Sequence, residues 1–430
     1  MASRRCRAGR PVRPLPCATG RGRRQGGAVV AYDAVGGILL AGITLYAVLG
    51  GADFGGGLWD LLAGPTAHGR RPRALIDESI TPVWEGNHVW LVFDLVIFWT
   101  AFPHAFASVM SALALPLWLA LAGIVLRGAG FAYRKELSRV SLQRAAGATF
   151  AFSSLVTPFF MGTVVGAIAA GAVPADASQA SLAAWTSPTA LLAGFLFVAA
   201  CGYLAAVYLV GEAASRGDRG MQAYFARRAQ AAAIVAGALS LAALFELQNS
   251  NRLLFDRLTG RALPLVVVAG VCGLAVFALL AVGRPKGTRV IAALGVAAVV
   301  WGWGVAQYPV LLPGTSVTLS NAGAPQSTMV AVIAVFIAAL VLVAPSFALL
   351  YMLQGRHLLG GGEHGALPAA APAGNPGQAA AGRPRQQVPA LRQAPARQQV
   401  PERQQAGRAI RTAAVGAVTI AAVIRRLRQR

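Results

Sequence analysis

The chain alternates long apolar runs with short polar connections. Crossing a bilayer as a helix takes roughly 20 mostly apolar residues. Nine runs meet or approach that length: 29–49, 84–102, 106–126, 146–172, 189–211, 229–247, 263–283, 288–306 and 328–353. The pattern predicts an all-α integral membrane protein, a polytopic bundle of about nine transmembrane helices. Composition agrees. Of 430 residues, 56% are hydrophobic and only 12% are charged, against about 25% charged in a soluble domain. The mean hydropathy is +0.58.

The net charge of +23 would suit a nucleic-acid binder, but its distribution does not. Eight arginines precede residue 25 and twelve follow residue 355, so the two tails hold 20 of the 38 basic residues. Of the other 18, 17 fall between the apolar runs and Arg289 lies at the very start of one, as the cost of charge in hydrocarbon requires. Membrane lipid is therefore the expected surrounding, with no nucleic-acid partner. Loops after spans one, three, five and seven carry 15 basic residues, Arg127 counted among them, and the other loops carry only Arg252, Arg257 and Arg261. The positive-inside bias puts the richer set in the cytoplasm. The N-terminus is then expected outside a bacterial inner membrane and the C-terminus inside.

Residues 1–28 fit that topology poorly, because their arginines would lie outside. A signal peptide would place an apolar stretch and a cleavage site before the mature chain; here the next apolar run is span one. The expectation is a misassigned start, with the chain beginning near Val29 or Val30, and the alternative is a disordered basic arm. Residues 29–353 form the membrane domain. Residues 354–430 are rich in Gly, Ala, Pro, Gln and Arg, and RQQVP occurs twice, at 385–389 and 397–401. Such a tract buries too little apolar surface to fold and reads as a disordered cytoplasmic tail.

Candidate chemistry lies in the few acids near or within the spans, where ionisable groups are costly and functional by default. Asp33 opens span one and Asp53 follows its end, in GGADFGGG. Glu85 opens span two, in TPVWEGNHVW, and Asp94 lies nearer that span's middle. Glu85 and His88 are three apart and share a helix face. A carboxylate beside an imidazole suits a proton relay, since both titrate near neutral pH when desolvated. Asp94 is nine positions from Glu85, nearly opposite, and is expected to meet another helix or another subunit. The plainer reading of each acid is a buried arginine's partner or a wet interface. Trp84 and Trp90 read first as interface anchors, and alternatively as packing against a partner's cofactor. The glycines around Asp53 either bend the backbone past the helix end or serve close helix packing.

Metal and haem chemistry are poorly supplied. Glu85-x-x-His88 is half of a di-iron bundle motif, but no second half exists. Cys6, Cys17, Cys201 and Cys272 form no metal-binding spacing. His68, His104, His357 and His364 fall outside the spans, leaving His88 as the one intramembrane histidine. A chain holding several haems would need more axial ligands.

Three stretches together carry a resemblance: LYAVLGGADFGGGLWDLLAG, ITPVWEGNHVWLVF, and WTAFPHAFASVMSALALPLWLALAGIVLRGAGFAYRK. With WGWGVAQYPVLLPGTSVTLSNAGAPQSTM near the end, they resemble the second subunit of cytochrome bd-type ubiquinol oxidases over roughly residues 30–353. The resemblance implies a haem-free subunit, inactive alone, of a respiratory-chain oxidase that oxidises quinol and reduces O2 to water. It implies a haem-bearing subunit I as partner, with haems b and d there, and leaves room for a small third subunit. It also implies that Asp53 and Glu85 belong to a path for cytoplasmic protons, with His88, Asn87, Trp84 and Arg127 as further candidates. The chain departs from the family pattern at Leu49-Gly50-Gly51, where many members have an Asp, at Glu85 for the commoner Asp, and at His88 for Gln or Glu. Asp94 is not expected from the pattern. Two other classes stay open. A secondary transporter would show internal repeats and broken helices, and a non-catalytic scaffold would use the same acids structurally.

Overall fold

The first apolar run does not end where its hydropathy thins. In the computed structural model, which describes residues 20–64, 66–80, 84–136, 139–178 and 182–355, α1 (Gly20–Leu45) passes through a π-helical turn, Tyr46–Gly50, straight into α2 (Gly51–Leu61). The apolar span is thus continuous from Val30 to Leu61. The extra residue that a π turn inserts re-aims the side chains beyond it, and such turns favour functional sites. Asp53 was expected just past the span's end. It lies inside the span, because the glycines that follow continue the helix rather than break it.

The remaining helices are α3 (Thr66–Ile80), α4 (Trp84–Ala101), α5 (Pro103–Ala112), α6 (Ala114–Glu136), α7 (Val140–Ala169), α8 (Leu182–Thr186) and α9 (Pro188–Ser215). After them come α10 (Arg219–Ser250), α11 (Arg252–Thr259), α12 (Leu263–Ala281), α13 (Thr288–Gln307) and α14 (Gln326–Gly355). Among the described residues, eight helices are long and apolar enough to cross a membrane, and nine if α4 and α5, bent by 117° at Phe102, count as one span. The bend has a local cause: Pro103 starts α5 and Phe102 leaves the helical region at φ −129° and ψ 59°. His104, expected in a turn, sits exposed on the first turn of α5. Beyond one isolated bridge, Val310 to Thr318, the described residues form no β structure. The expected C-terminal tail from residue 356, and residues 1–19 of the basic arm, lie outside the described residues; Gly20 to Ala28 belong to α1.

Helix starts follow the sequence. Ser187, Asp218 and Asn251 cap α9, α10 and α11 by accepting from the backbone N–H of Ala190, Met221 and Leu254, which satisfies donors that a helix start leaves open. Helix packing rests on small residues. A Cβ on Gly55 of α2 would fall 1.9 Å from the Cys201 carbonyl oxygen of α9. Cβ atoms on Gly162 and Gly166 of α7 would fall 2.6 Å from the Ala193 oxygen and Ala190 Cα of α9. Without these glycines α2, α7 and α9 could not approach so closely.

The two ends of the bundle are tied differently. At one end, Arg71 pairs with Asp218, Arg73 with Asp60, Arg216 with Glu78 and Glu212, and Arg289 with Glu212. These bonds join the connections after spans one, five and seven, which the alternation of charge had grouped on one side. At the other end Asn251 donates to the Ala169 carbonyl, Ser108 to Ala175, and the Ala324 amide to Ala101. There the connections after spans two, four, six and eight meet.

Candidate functional site

Three of the expected residues converge at the junction of α2, α4 and α6. Asn87 of α4 donates its side-chain N–H to Asp53 Oδ2 of α2 at 2.7 Å. Arg127 of α6 donates Nη2 to the Asp53 backbone oxygen at 3.0 Å and Nε to Ser154 Oγ of α7 at 3.1 Å. All three are sequestered: Asp53 is 4% exposed, Asn87 2% and Arg127 1%. Arg127 had been counted with a loop. It lies well inside α6, because that helix runs on to Glu136.

A guanidinium taken out of water loses several kcal/mol of solvation unless its donors are met. Here two acceptors and two ring faces stand in for water. The Arg127 guanidinium carbon lies 4.9 Å from the Phe54 ring centre and 5.2 Å from that of Phe150, within range of cation–π attraction. Ser154 is oriented in turn by donating to the Phe150 carbonyl at 2.6 Å. Gly57 makes room for it, since a Cβ there would fall 2.3 Å from Ser154 Oγ.

His88 borders this cluster. Its ring meets Phe54 edge-on at 5.8 Å and Tyr46 at 6.0 Å. Trp90 is half-buried against the core of Tyr46, Phe54 and Cys201, with its ring edge-on to Phe93 at 6.1 Å. It sits about a turn and a half inside α4. Trp84 and Glu85 form the first turn of α4. Their side chains lie outside the described residues, so the expected Glu85–His88 relay lies outside them too. Asp94 stands apart from the cluster and packs on α1. Asp33, near the start of span one, accepts from the Tyr308 hydroxyl at 3.3 Å.

Sequence reasoning missed Tyr46, Ser154 and the aromatic pair around Arg127. Ser154 carried a faint signal, a polar pair Ser153-Ser154 in an apolar run four residues before Pro158. Tyr46 carried none, since an aromatic in a span reads as packing.

A buried carboxyl group with one fixed neutral donor and a nearby guanidinium can take up and release a proton at one place. Among the described residues no group of three His, Cys, Asp or Glu could hold a metal ion, and His88 is set between two aromatic rings. Among the described residues this donor set does not fit a haem.

Comparison with known proteins identifies the family. The model of the family described as "Cytochrome bd terminal oxidase subunit II" matches residues 33–354. The chain is 28% identical to cytochrome bd ubiquinol oxidase subunit 2 of Bacillus subtilis (strain 168) over 131 residues, 30% of this chain and 38% of that protein. It is 29% identical to cytochrome bd-I ubiquinol oxidase subunit 2 of Escherichia coli (strain K12) over 187 residues, 40% of this chain and 48% of that one. The matched stretches thus span less than half the length of these relatives. The fold is similar to a chain of the bd oxidase structure from Geobacillus thermodenitrificans, with a TM-score of 0.58 at 21% identity, covering 76% of this chain and 98% of that one.

Proposed function

The chain belongs to the cytochrome bd terminal oxidase subunit II family, and from that premise we propose that it is the haem-free second subunit of a quinol-oxidising, O2-reducing complex. Alone it is inactive. It supports a haem-bearing subunit I, where haems b and d and the quinol site reside, and it helps deliver protons from the cytoplasm. Membrane lipid surrounds the pair, and a small third subunit is compatible with the assembly.

The observation that carries the proton role is the buried Asp53–Asn87 hydrogen bond beside Arg127. A structural acid in hydrocarbon is a net cost, whereas a proton-carrying acid must be exactly such a group, held by neighbours that tolerate both of its forms. Asn87 donates to the ionised carboxylate. When the carboxyl is protonated, the Asn87 amide can keep the contact through its other polar atom by turning over. Arg127 bonds the backbone oxygen of Asp53 and so fixes the residue in either form.

The orientation follows the basic connections. The end carrying the Arg71, Arg73, Arg216 and Arg289 ion pairs faces the cytoplasm, with the N-terminus outside and the C-terminus inside. Glu85 then opens α4 at the cytoplasmic end, and Asn87 with Asp53 lies less than one turn deeper. Glu85 receives the proton, His88 on the same face assists, and Asp53 holds it next.

Coexpression tests the subunit assignment. Membranes with this chain and a haem-bearing partner should show reduced-haem absorbance and quinol-dependent oxygen uptake. The chain purified alone should show neither. Haem bound by the chain alone, or uptake indifferent to its deletion, contradicts the assignment. A scaffold reading draws on the same bonds, and it differs in expecting normal uptake from an assembled Glu85→Gln variant.

A further inference from the structure

The polar interior continues past Asp53. Asp94 follows Asn87 by seven residues on α4, two turns along one face and roughly 10 Å deeper. It is 8% exposed, and its Oδ1 has no hydrogen-bond partner among the described residues. The carboxylate rests on bare backbone of α1: a Cβ on Gly42 would fall 2.0 Å from Oδ1 and 2.9 Å from Cγ. One helical turn on from Gly42 is Tyr46, also 8% exposed, whose hydroxyl likewise has no partner among the described residues. Tyr46 opens the π turn, and its ring touches the edges of Phe54 and His88. It stands within electrostatic reach of both Asp53 and Asp94.

Among the described residues neither polar group has a partner, and the Tyr46 ring lies over Gly50, so its hydroxyl sits on the Asp53 side of Asp94. Burying either is costly, and the surrounding VF-Asp94-LVI run would accept an aliphatic residue there without that cost. Packing alone does not explain the acid. The fit of Gly42 to the carboxylate shows that the site is shaped around it.

We propose that Tyr46 and Asp94 form a second proton station, with water bound between the hydroxyl and the carboxyl, that takes the proton from Asp53 toward mid-membrane. This rests on the proton-delivery reading above and extends it. In the transfer the O–H bond of the Asp53 carboxyl breaks and its proton passes to the bridging oxygen. That oxygen releases one of its own protons to the Asp94 carboxylate. Asp53 is left ionised, Asp94 becomes neutral, the bridge is restored, and no electron moves.

The test uses the assembled two-subunit oxidase in native membranes, with Asp53→Asn run in parallel. Asp94→Asn keeps the shape of the side chain and removes the proton. It should assemble normally, lower quinol-dependent oxygen uptake at least about tenfold, and lose one buried-carboxyl band in the infrared difference spectrum. Asp94→Glu should recover part of the rate. Gly42→Ala, which displaces the carboxylate without removing it, should slow uptake and shift that band. Wild-type uptake by Asp94→Asn while Asp53→Asn is slow overturns the second station and leaves the Asp53 reading standing. Wild-type uptake by both variants overturns both. Failure of Asp94→Asn to assemble, with normal uptake in Gly42→Ala, marks a structural role and also overturns the proposal.

Discussion

Asn87 and Asp53 share a hydrogen bond of 2.7 Å between two membrane-spanning segments, with both residues almost wholly buried. The pair joins the GGADFGGG stretch to the acidic-Gly-Asn-x-x-Trp motif, 34 residues apart. Removing Asn87 leaves the buried Asp53 carboxyl without this donor, at a cost of about 1–3 kcal/mol. Asn87→Leu should destabilise the protein by that amount. The double variant Asn87→Leu with Asp53→Leu should cost less than the sum of the single variants, since neither polar group is then stranded. Thermal unfolding of the four proteins in detergent checks this, and strict additivity would show that the bond contributes nothing.

Gly55 sets how closely α2 lies against α9. A methyl group there would fall 1.9 Å from the Cys201 carbonyl oxygen, which belongs to backbone and cannot swing aside. Gly55→Ala should therefore destabilise the fold by roughly 1–3 kcal/mol through overpacking. Gly37→Ala is the control, because nothing lies within 4 Å of a Cβ at that position. It should be neutral or slightly stabilising by helix propensity. Equal unfolding temperatures for the two variants would remove the close-packing explanation.

Arg127 bridges α2, α6 and α7 through a fork that lysine lacks. Arg127→Lys keeps the charge but cannot reach Ser154 and the Asp53 carbonyl in the same planar geometry. It should lose about 2 kcal/mol or more, within the range for hydrogen bonds to charged groups. Assembly yield with the partner and unfolding temperature report the loss. A lysine variant as stable as the parent would show that charge alone suffices.

These residues also mark what could be read before the fold was known. The membrane class and the grouping of connections were legible, because span length and loop charge are set by the bilayer rather than by tertiary detail. Asp53, Asn87 and Arg127 were named, but not as neighbours. Arg127 looked like a loop residue because hydropathy averages over a window and misses one buried cation held by two acceptors and two aromatic rings. Asp53 looked terminal because three glycines resemble a helix end. Only packing against Cys201 and Ser154 shows that their role is close approach. Nothing in the pattern announced the π turn at Tyr46.

Asp218 gives a pH test outside the membrane. The Met221 amide it caps, and behind it the Arg71 guanidinium, hold its carboxyl below the usual carboxylate range. A carboxyl depressed in the folded state stabilises above its unfolded pKa, about 3.9, and that contribution fades as pH falls through the folded value. Asp218→Asn keeps the cap and loses the charge. It should therefore unfold slightly earlier than the parent near neutral pH, by a margin that salt shrinks because the pair is exposed. The two proteins should converge once the pH drops below the carboxylate range. A difference that persists in acid would place the effect elsewhere.

Quinol-dependent oxygen uptake by the assembled complex carrying Asp53→Asn tests the proton role most directly. Asparagine fills the same space beside Asn87 and Arg127 but cannot take up a proton. The complex should assemble with its full haem content and respire more slowly by about tenfold or more. Wild-type uptake at normal haem content would contradict the proton role and leave Asp53 as a structural residue.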